Sequence, residues 1–204
     1  MKNTIIAVIL LFSIGSCNHK KSDATITHSK KPSSAVALKQ TTNETKSKDV
    51  FLCKINGRDW SYTKASGLVD LNRQRRAREA RFTFTKQLDK GKEYIALTYD
   101  LGSMALIAAD FQIKVPNNSV GILNAYYVLS PEMSDKYPQA SLSGTVTLDG
   151  DVAEGSAKVV DLPIRWEANL LANPADAKIS VTDLNFKNVG YSDLEKDMKL
   201  LLND

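Results

Sequence analysis

Histidine and cysteine are scarce in this 204-residue chain, and that scarcity excludes several kinds of active site. Both histidines, His19 and His28, precede residue 50, so residues 50–204 contain none. Ser-His-Asp and Cys-His catalysis need a histidine base, and zinc sites need histidine or several cysteines. No Gly-x-Gly pair and no Walker-type loop occurs, so no nucleotide site is indicated. We therefore expect no catalytic residue, no metal and no cofactor.

Basic charge is also lacking where a nucleic-acid-binding domain would carry it. The whole chain has a formal charge of +4. Residues 18–49 contribute seven lysines and three acids, whereas residues 50–204 carry 19 bases and 20 acids, a balance of −1. A nucleic-acid-binding domain concentrates basic charge on its folded surface. The sequence thus predicts no nucleic-acid partner.

A single long apolar run occurs, and it lies at the N-terminus. Lys2 precedes an apolar stretch from Ile5 to Ile14, which is shorter than the about 20 residues that a membrane-spanning helix needs. This pattern predicts a signal peptide over residues 1–16. The segment Ile14-Gly15-Ser16-Cys17 resembles the lipobox of bacterial lipoproteins. The resemblance implies that Cys17 is acylated and that its acyl chains hold the protein on a membrane.

Residues 17–49 are predicted to form the lipidated cysteine and a flexible polar tether. They are rich in Ser, Thr, Lys and Asn and contain no aromatic residue, so they cannot bury enough surface to fold. In lipoproteins of Bacteroidota, acidic residues soon after the cysteine resemble a surface-export signal. The segment Asn18 to Asp23 does not match that signal well. We therefore expect an outer-membrane lipoprotein that faces the periplasm rather than the cell surface.

Residues 50–204 show mainly the period of two that is typical of β-strands. In the clearest hairpin, Asn56-Gly57 supplies the positive φ angles of a type I′ turn. The sequence predicts an all-β domain, an antiparallel sandwich or barrel of about eight strands. Besides this hairpin and a second one around Asp89–Lys92, strands are expected at 106–115, 121–129, 141–148, 157–160, 162–170 and 178–186, while 71–80 could be helix or strand.

The C-terminus has a helical pattern instead. Ser192 and Glu195 have the spacing of a capping box, and apolar residues from Leu194 onward recur on one helical face. We expect a short amphipathic helix over residues 193–202 that covers an edge or end of the sheet. The same helix could instead bind a partner.

Two tyrosines, a tryptophan and the second cysteine allow specific expectations about burial. Cys53 has no intramolecular partner if Cys17 is acylated, and its strand position predicts a buried thiol. Trp166 shares alternating positions with Leu162 and Ile164, which predicts a core tryptophan. Neighbouring strand residues face opposite sides, so Tyr126 and Tyr127 cannot both lie in one core. The aromatic residues could alternatively line a ligand cavity.

An arginine cluster is the most unusual local feature. Five arginines fall within nine residues: Arg73, Arg75, Arg76, Arg78 and Arg81. The cluster could dock an acidic protein, lipid A phosphates or peptidoglycan carboxylates. It could equally form a solvated loop and the outer side of a strand, where arginine protects an edge.

Two other patterns suggest chemistry only weakly. Ser61 and Lys64 have the Ser-x-x-Lys spacing of penicillin-recognising enzymes, but that spacing works on a helix and here falls on a strand. Asp149, Asp151 and Glu154 could bind calcium, but they depart from an EF-hand loop and fit a polar turn better.

The stretch Phe51-x-Cys53-x-Ile55-Asn56-Gly57-x-x-Trp60 resembles the opening of small β-rich lipoproteins of Bacteroidota. The resemblance implies location and fold rather than an activity. Together with the missing catalytic residues, it favours a lipid-anchored, non-enzymatic binding or interaction module. Two alternatives remain: a calycin-like carrier of a small apolar ligand, and an inhibitor or immunity protein against a toxin or hydrolase.

Overall fold

A computed structural model of the protein describes residues 48–202 except 120 and 167, with side chains to residue 198. The predicted signal peptide, Cys17 and the tether up to residue 47 lie outside the described residues. The described part contains eleven strands and one α-helix: β1 (Val50–Ile55), β2 (Arg58–Tyr62), β3 (Lys64–Asn72), β4 (Ala77–Gln87), β5 (Lys92–Asp100), β6 (Ala105–Pro116), β7 (Ile122–Leu129), β8 (Ser141–Ser143), β9 (Val146–Asp149), β10 (Val152–Pro163), β11 (Lys178–Asp193) and α1 (Leu194–Leu202).

The fold is all-β with a short C-terminal helix, as predicted. The strands form one mostly antiparallel open sheet in the order β2-β1-β11-β3-β4-β5-β6-β7, and β10 pairs with β11, β8 and β9. Single bridges join β6 to Thr145 and β7 to Ile164, so the sheet folds back on itself. Eleven strands replace the expected number of about eight, partly because the segment 141–148 is interrupted at Gly144 and because β3 was not predicted. The ambiguous segment 71–80 forms the end of β3, a turn over residues 73–76 and the start of β4.

Local turn chemistry explains the predicted hairpins. Asn56 and Gly57 adopt φ angles of 49° and 77°, as the type I′ turn requires. The side-chain amide of Asn56 also donates to Lys178 O at 2.9 Å, which ties this turn to the start of β11. The second hairpin joins β4 to β5 around Gly91, whose φ is 84°.

Aromatic rings fill the space between the two layers of the folded sheet. The ring centroid of Phe186 in β11 lies 5.1 Å from Phe82 and 5.2 Å from Phe84, both in β4. The hydroxyl of the fully buried Tyr99 donates to the carbonyl oxygen of Ser156 at 3.0 Å, so its polar atom is satisfied. This packing gives β4, β5 and β6 one core-facing side and one outward side.

The long strand β11 joins the layers, and its end forms the one parallel pairing among the described strands, with β3. That pairing runs from Tyr191 opposite Gly67 to Asp193 opposite Val69. The chains approach so closely that a Cβ on Gly67 would lie 2.6 Å from both Phe82 Cε1 and Tyr191 Cβ. Helix α1 follows β11 directly and contacts β3.

The helix cap differs from the predicted capping box. Ser192 is still part of β11, and the backbone N–H of Lys196 donates to Asp193 Oδ1 at 3.3 Å. Asp193 therefore caps the helix, because β11 runs one residue further than the spacing suggested. The apolar residues Leu194 and Met198 remain 39% and 58% exposed.

The expectation of a buried Trp166 is wrong. Strand β10 ends at Pro163, and the chain then turns to run beside β7, where the N–H of Arg165 donates to Tyr126 O at 2.8 Å. The alternation that keeps Leu162 buried therefore stops before Trp166, which is 42% exposed.

Candidate functional site

The outward side of β3 to β7, here called the outer face, carries polar and aromatic residues in rows across the strands. One row places Leu68, Arg81, Thr98 and Ala108 side by side. A second row, four residues further along β6, places Tyr94 beside Gln112 and Gln112 beside Tyr126. The opposite side of the same strands forms the core, so alternation alone assigns these residues to the outer face.

An ion pair spans the outer face. Arg81 in β4 and Asp110 in β6 are separated by strand β5, and their side chains meet with 2.6 Å between Nη2 and Oδ2. The register places Thr98 beside Arg81 and Ala96 beside Asp110. These two small β5 residues are only 6% and 1% exposed despite facing away from the core. The ion pair therefore forms a bridge over a floor of small residues.

A groove of about 380 Å³ lies along this bridge. Arg75, Arg81, Thr98 and Asp110 line it together with residues of β3 and the hairpin that follows; the other lining residues are Leu68, Asp70, Leu71, Asn72, Glu79, Ala108 and Ser130. Its three carboxylates outnumber its two guanidinium groups, which gives the groove a formal charge of −1. A small, partly apolar concavity with several polar groups is typical of a ligand site.

Arg75 leaves hydrogen-bonding capacity unused in this groove. Its Nε lies 3.0 Å from Glu79 Oε1, an ion-pair contact that is not aligned as a hydrogen bond, and its Nη2 donates to Glu79 Oε2 at 3.2 Å. Glu132 approaches to 3.8 Å. The buried Nη1 of Arg75 has no hydrogen-bond partner among the residues that the structure describes. A buried donor without a partner is costly, but this nitrogen is closed to solvent, so a ligand in the groove could reach it only if the Arg75 side chain moved.

The five arginines of the predicted cluster do not form one surface. Arg75 and Arg81 line the groove, whereas Arg78 pairs with Asp193 at 2.6 Å and with Glu195 at 3.3 Å. Arg73 and Arg76 lie in the turn between β3 and β4, and neither has an ion-pair partner within the described part of the chain. The structure thus divides the cluster into groove, helix contact and turn.

The aromatic part of the outer face continues to the edge of the sheet. The rings of Tyr126 and Trp166 lie with centroids 5.5 Å apart, and the guanidinium carbon of Arg165 lies 4.6 Å from the centroid of Trp166. Burial and the negative charge of Asp110 raise the pKa of Tyr94. The amide of Gln112 makes no hydrogen bond to any described residue.

The buried cysteine, the Ser-x-x-Lys spacing and the candidate calcium ligands lie apart from the groove. Cys53 is fully buried, as predicted, and burial raises its pKa to about 12. Ser61 and Lys64 belong to different strands, so the helical spacing does not apply to them. Asp149, Asp151 and Glu154 lie in the β9–β10 hairpin, and no group of three potential metal ligands occurs among the described residues.

Comparison with known proteins returned no relative: no protein-family model, no curated protein and no solved structure matches this chain. Within the described residues, no helix has the length and apolar character needed to cross a membrane.

Sequence reasoning identified Arg75 and Arg81 but missed their surroundings. Thr98, Asp110 and Gln112 alternate with core residues in β5 and β6, so the period of two already marked them as outward-facing. The ion pair between Arg81 and Asp110 depends on the order of the strands in the sheet. The alternation of residues along each strand does not reveal that order. Trp166 was missed because the end of β10 was placed too late.

Proposed function

We propose that this protein is a lipid-anchored, non-enzymatic binding module of the bacterial outer membrane, and that its outer face holds the ligand. The anchor is Cys17, and the domain faces the periplasm. The observation that supports the binding role best is the groove along the Arg81–Asp110 bridge, a concavity of about 380 Å³ lined by both apolar and polar side chains. The missing histidine in residues 50–204 supports a non-enzymatic role.

The charge of the groove argues against the acidic ligands considered from the arginine cluster. Glu79 and Asp110 neutralise Arg75 and Arg81, and Asp70 adds a further negative charge. A polyanion such as lipid A phosphate would meet these carboxylates at close range, which like charges disfavour. The groove is thus suited to a ligand that needs hydrogen bonds rather than a counter-charge.

The carrier alternative receives less support than the outer face does. An apolar ligand would need space between the layers, where Phe82, Phe84 and Phe186 pack with their ring centroids about 5 Å apart. Closely packed aromatic rings of this kind stabilise a core and leave little room for a guest.

An inhibitor or immunity role remains a second candidate because of the β3–β4 turn. Arg73 and Arg76 are exposed there and have no carboxylate partner among the described residues. Unpaired arginines at an exposed turn can recognise the carboxylates of a protein partner. Reversal of both charges, Arg73→Glu with Arg76→Glu, would then abolish binding, whereas the groove hypothesis predicts little change.

Fractionation of the host cell tests the anchor. The Cys17→Ser variant has no thiol to acylate, so it should leave the outer-membrane fraction. The matched variant Cys53→Ala, which changes the buried cysteine, should stay in that fraction. Retention of Cys17→Ser in the membrane would contradict lipid anchoring.

Photo-crosslinking in the intact host cell tests the binding surface. A benzophenone side chain replaces Ala108, which lines the groove, and in a control strain it replaces the exposed Ala175 outside it. Benzophenone inserts into C–H bonds of proteins, lipids and glycans alike. The proposal predicts an adduct of defined mass from position 108 alone. No adduct at 108, or the same adduct from both positions, would contradict it.

A further inference from the structure

We infer that the outer face binds a neutral oligosaccharide, with Trp166 and Tyr126 as the apolar contact surface and the groove polar groups as hydrogen-bonding partners. This inference rests on the proposed binding function and names its ligand class. It follows from three properties of the outer face: an aromatic pair in which Trp166 is exposed, an amide without a partner beside it, and groove charges that nearly cancel.

The aromatic pair supplies the apolar contact. Trp166 keeps 42% of its surface exposed although it packs against Tyr126. The face of an aromatic ring carries a partial negative charge, so it attracts the weakly positive C–H groups that line one side of a pyranose ring. Tyr126 and Arg165 already contact this ring, so a flat sugar ring would pack on the part of Trp166 that stays exposed, with its hydroxyl groups available to polar neighbours.

An amide without a partner lies beside the aromatic pair, and polar side chains line the neighbouring groove. The amide of Gln112 pairs across the strands with Tyr126 and makes no hydrogen bond to described residues. Thr98 and Asp110 supply further polar groups where they line the groove. An amide both donates and accepts, a hydroxyl does the same and a carboxylate accepts, which together complement the hydroxyl groups of a sugar.

Paired charges decide between a neutral ligand and a charged one. The groove has a formal charge of −1, which disfavours anions. At the other end, the guanidinium of Arg165 already lies 4.6 Å from the Trp166 ring centroid, so a cationic ligand would be repelled from that ring. A chain of neutral sugars avoids unfavourable charge contacts both in the groove and at the Trp166 ring. The row that contains Arg81 and the row that contains Gln112 lie four residues apart along β6, so the ligand must extend over several units.

Calorimetric titration of the full-length lipidated protein tests this inference. The probes are the neutral hexasaccharides of maltose, cellulose and chitin types, with inorganic pyrophosphate and pentalysine as charged comparisons. The protein is held in a polyoxyethylene detergent, because sugar-headed detergents would compete for the site. We expect at least one neutral hexasaccharide to bind with a Kd of about 1 mM or tighter. Neither charged probe should bind comparably.

Variants locate the binding. Trp166→Ala should weaken binding about tenfold or more, and Trp166→Phe should restore most of it, since a ring is retained. Gln112→Ala should weaken it severalfold. The matched control is Phe51→Ala, which removes an aromatic residue that is 48% exposed on β1. Acrylamide quenching of tryptophan should fall on binding, because Trp166 is exposed whereas Trp60 is buried.

The outcomes separate this inference from the proposed function. Binding of none of the neutral hexasaccharides, or binding that Trp166→Ala leaves unchanged, overturns the sugar assignment. If a charged probe binds instead and Arg81→Ala abolishes that binding, the groove is a binding site but its ligand is not a neutral sugar. If position 108 also yields no photo-adduct in the cell, the proposed function fails as well.

Discussion

Arg81 and Asp110 belong to strands that do not touch, yet their side chains meet at 2.6 Å above strand β5. Both remain partly exposed, with 48% and 24% of their side-chain surface accessible. Water screens such a pair, so it stabilises the fold little. Its main consequence is the shape of the outer face, because it closes over Ala96 and Thr98.

A double-mutant cycle at this pair should therefore give a small coupling energy. We expect Arg81→Ala and Asp110→Ala each to change the free energy of unfolding by less than about 1 kcal/mol, with a coupling of similar size or smaller. Urea denaturation of the two single variants and the double variant measures it. A coupling above about 3 kcal/mol would show that the pair is a structural element rather than part of a binding surface.

The junction of β3 and β11 should be intolerant of any side chain at Gly67. An added methyl group would clash with the Phe82 ring and with Tyr191, each 2.6 Å from its position. We expect Gly67→Ala to lower the free energy of unfolding by about 1–3 kcal/mol. Gly190→Ala is the matched control, because its Cβ meets nothing within 4 Å. Equal stability of the two variants in urea denaturation would contradict this packing.

Alkaline pH should destabilise the fold through Tyr127. Burial raises its pKa from 10.0 to about 12, and the neighbouring carboxylate of Asp176 adds to the effect. Since the folded-state pKa is raised, the stabilisation is complete below pH 10 and is lost as pH rises toward 12. Tyr127→Phe should lower stability near neutral pH, because the hydroxyl donates to Asp176 O at 2.6 Å.

Denaturation curves at about pH 8 and about pH 11 check this prediction. Wild type should lose more stability between the two pH values than Tyr127→Phe does. Tyr137→Phe, at a half-buried tyrosine outside this contact, should behave like wild type. If Tyr127→Phe loses as much stability between the two pH values as wild type does, a group other than Tyr127 causes the loss.

Cys53 should be unreactive while the protein is folded. Burial raises its pKa to about 12, so almost no thiolate, the nucleophilic form, exists at neutral pH. A coloured thiol reagent should label no thiol in the native lipidated protein and one thiol after denaturation. Ser66→Cys, on an exposed β3 position, should add a thiol that reacts at once. Native labelling of Cys53 at the denatured rate would contradict its burial.

The sequence predicted what depends on neighbouring residues and missed what depends on strand order. The Asn56-Gly57 turn and the buried Cys53 follow from turn geometry and alternation, both of which are local properties. The Arg81–Asp110 bridge requires β4, β5 and β6 to lie side by side in register, which no local pattern reports. Trp166 shows the same limit: alternation placed it in the core, and the end of β10 at Pro163 moved it to the outer face.

Hydroxyl-radical footprinting of the protein in isolated outer membranes tests the central claim most directly, because it detects a bound ligand of any chemical class. Aromatic and sulfur-containing side chains oxidise in proportion to their exposure. Trp166 and Tyr126 are predicted to oxidise more slowly in the native membrane than in the purified protein, whereas the exposed Phe51 and Met198 should oxidise equally in both. Equal oxidation of Trp166 and Tyr126 in the two preparations would contradict a ligand on the outer face.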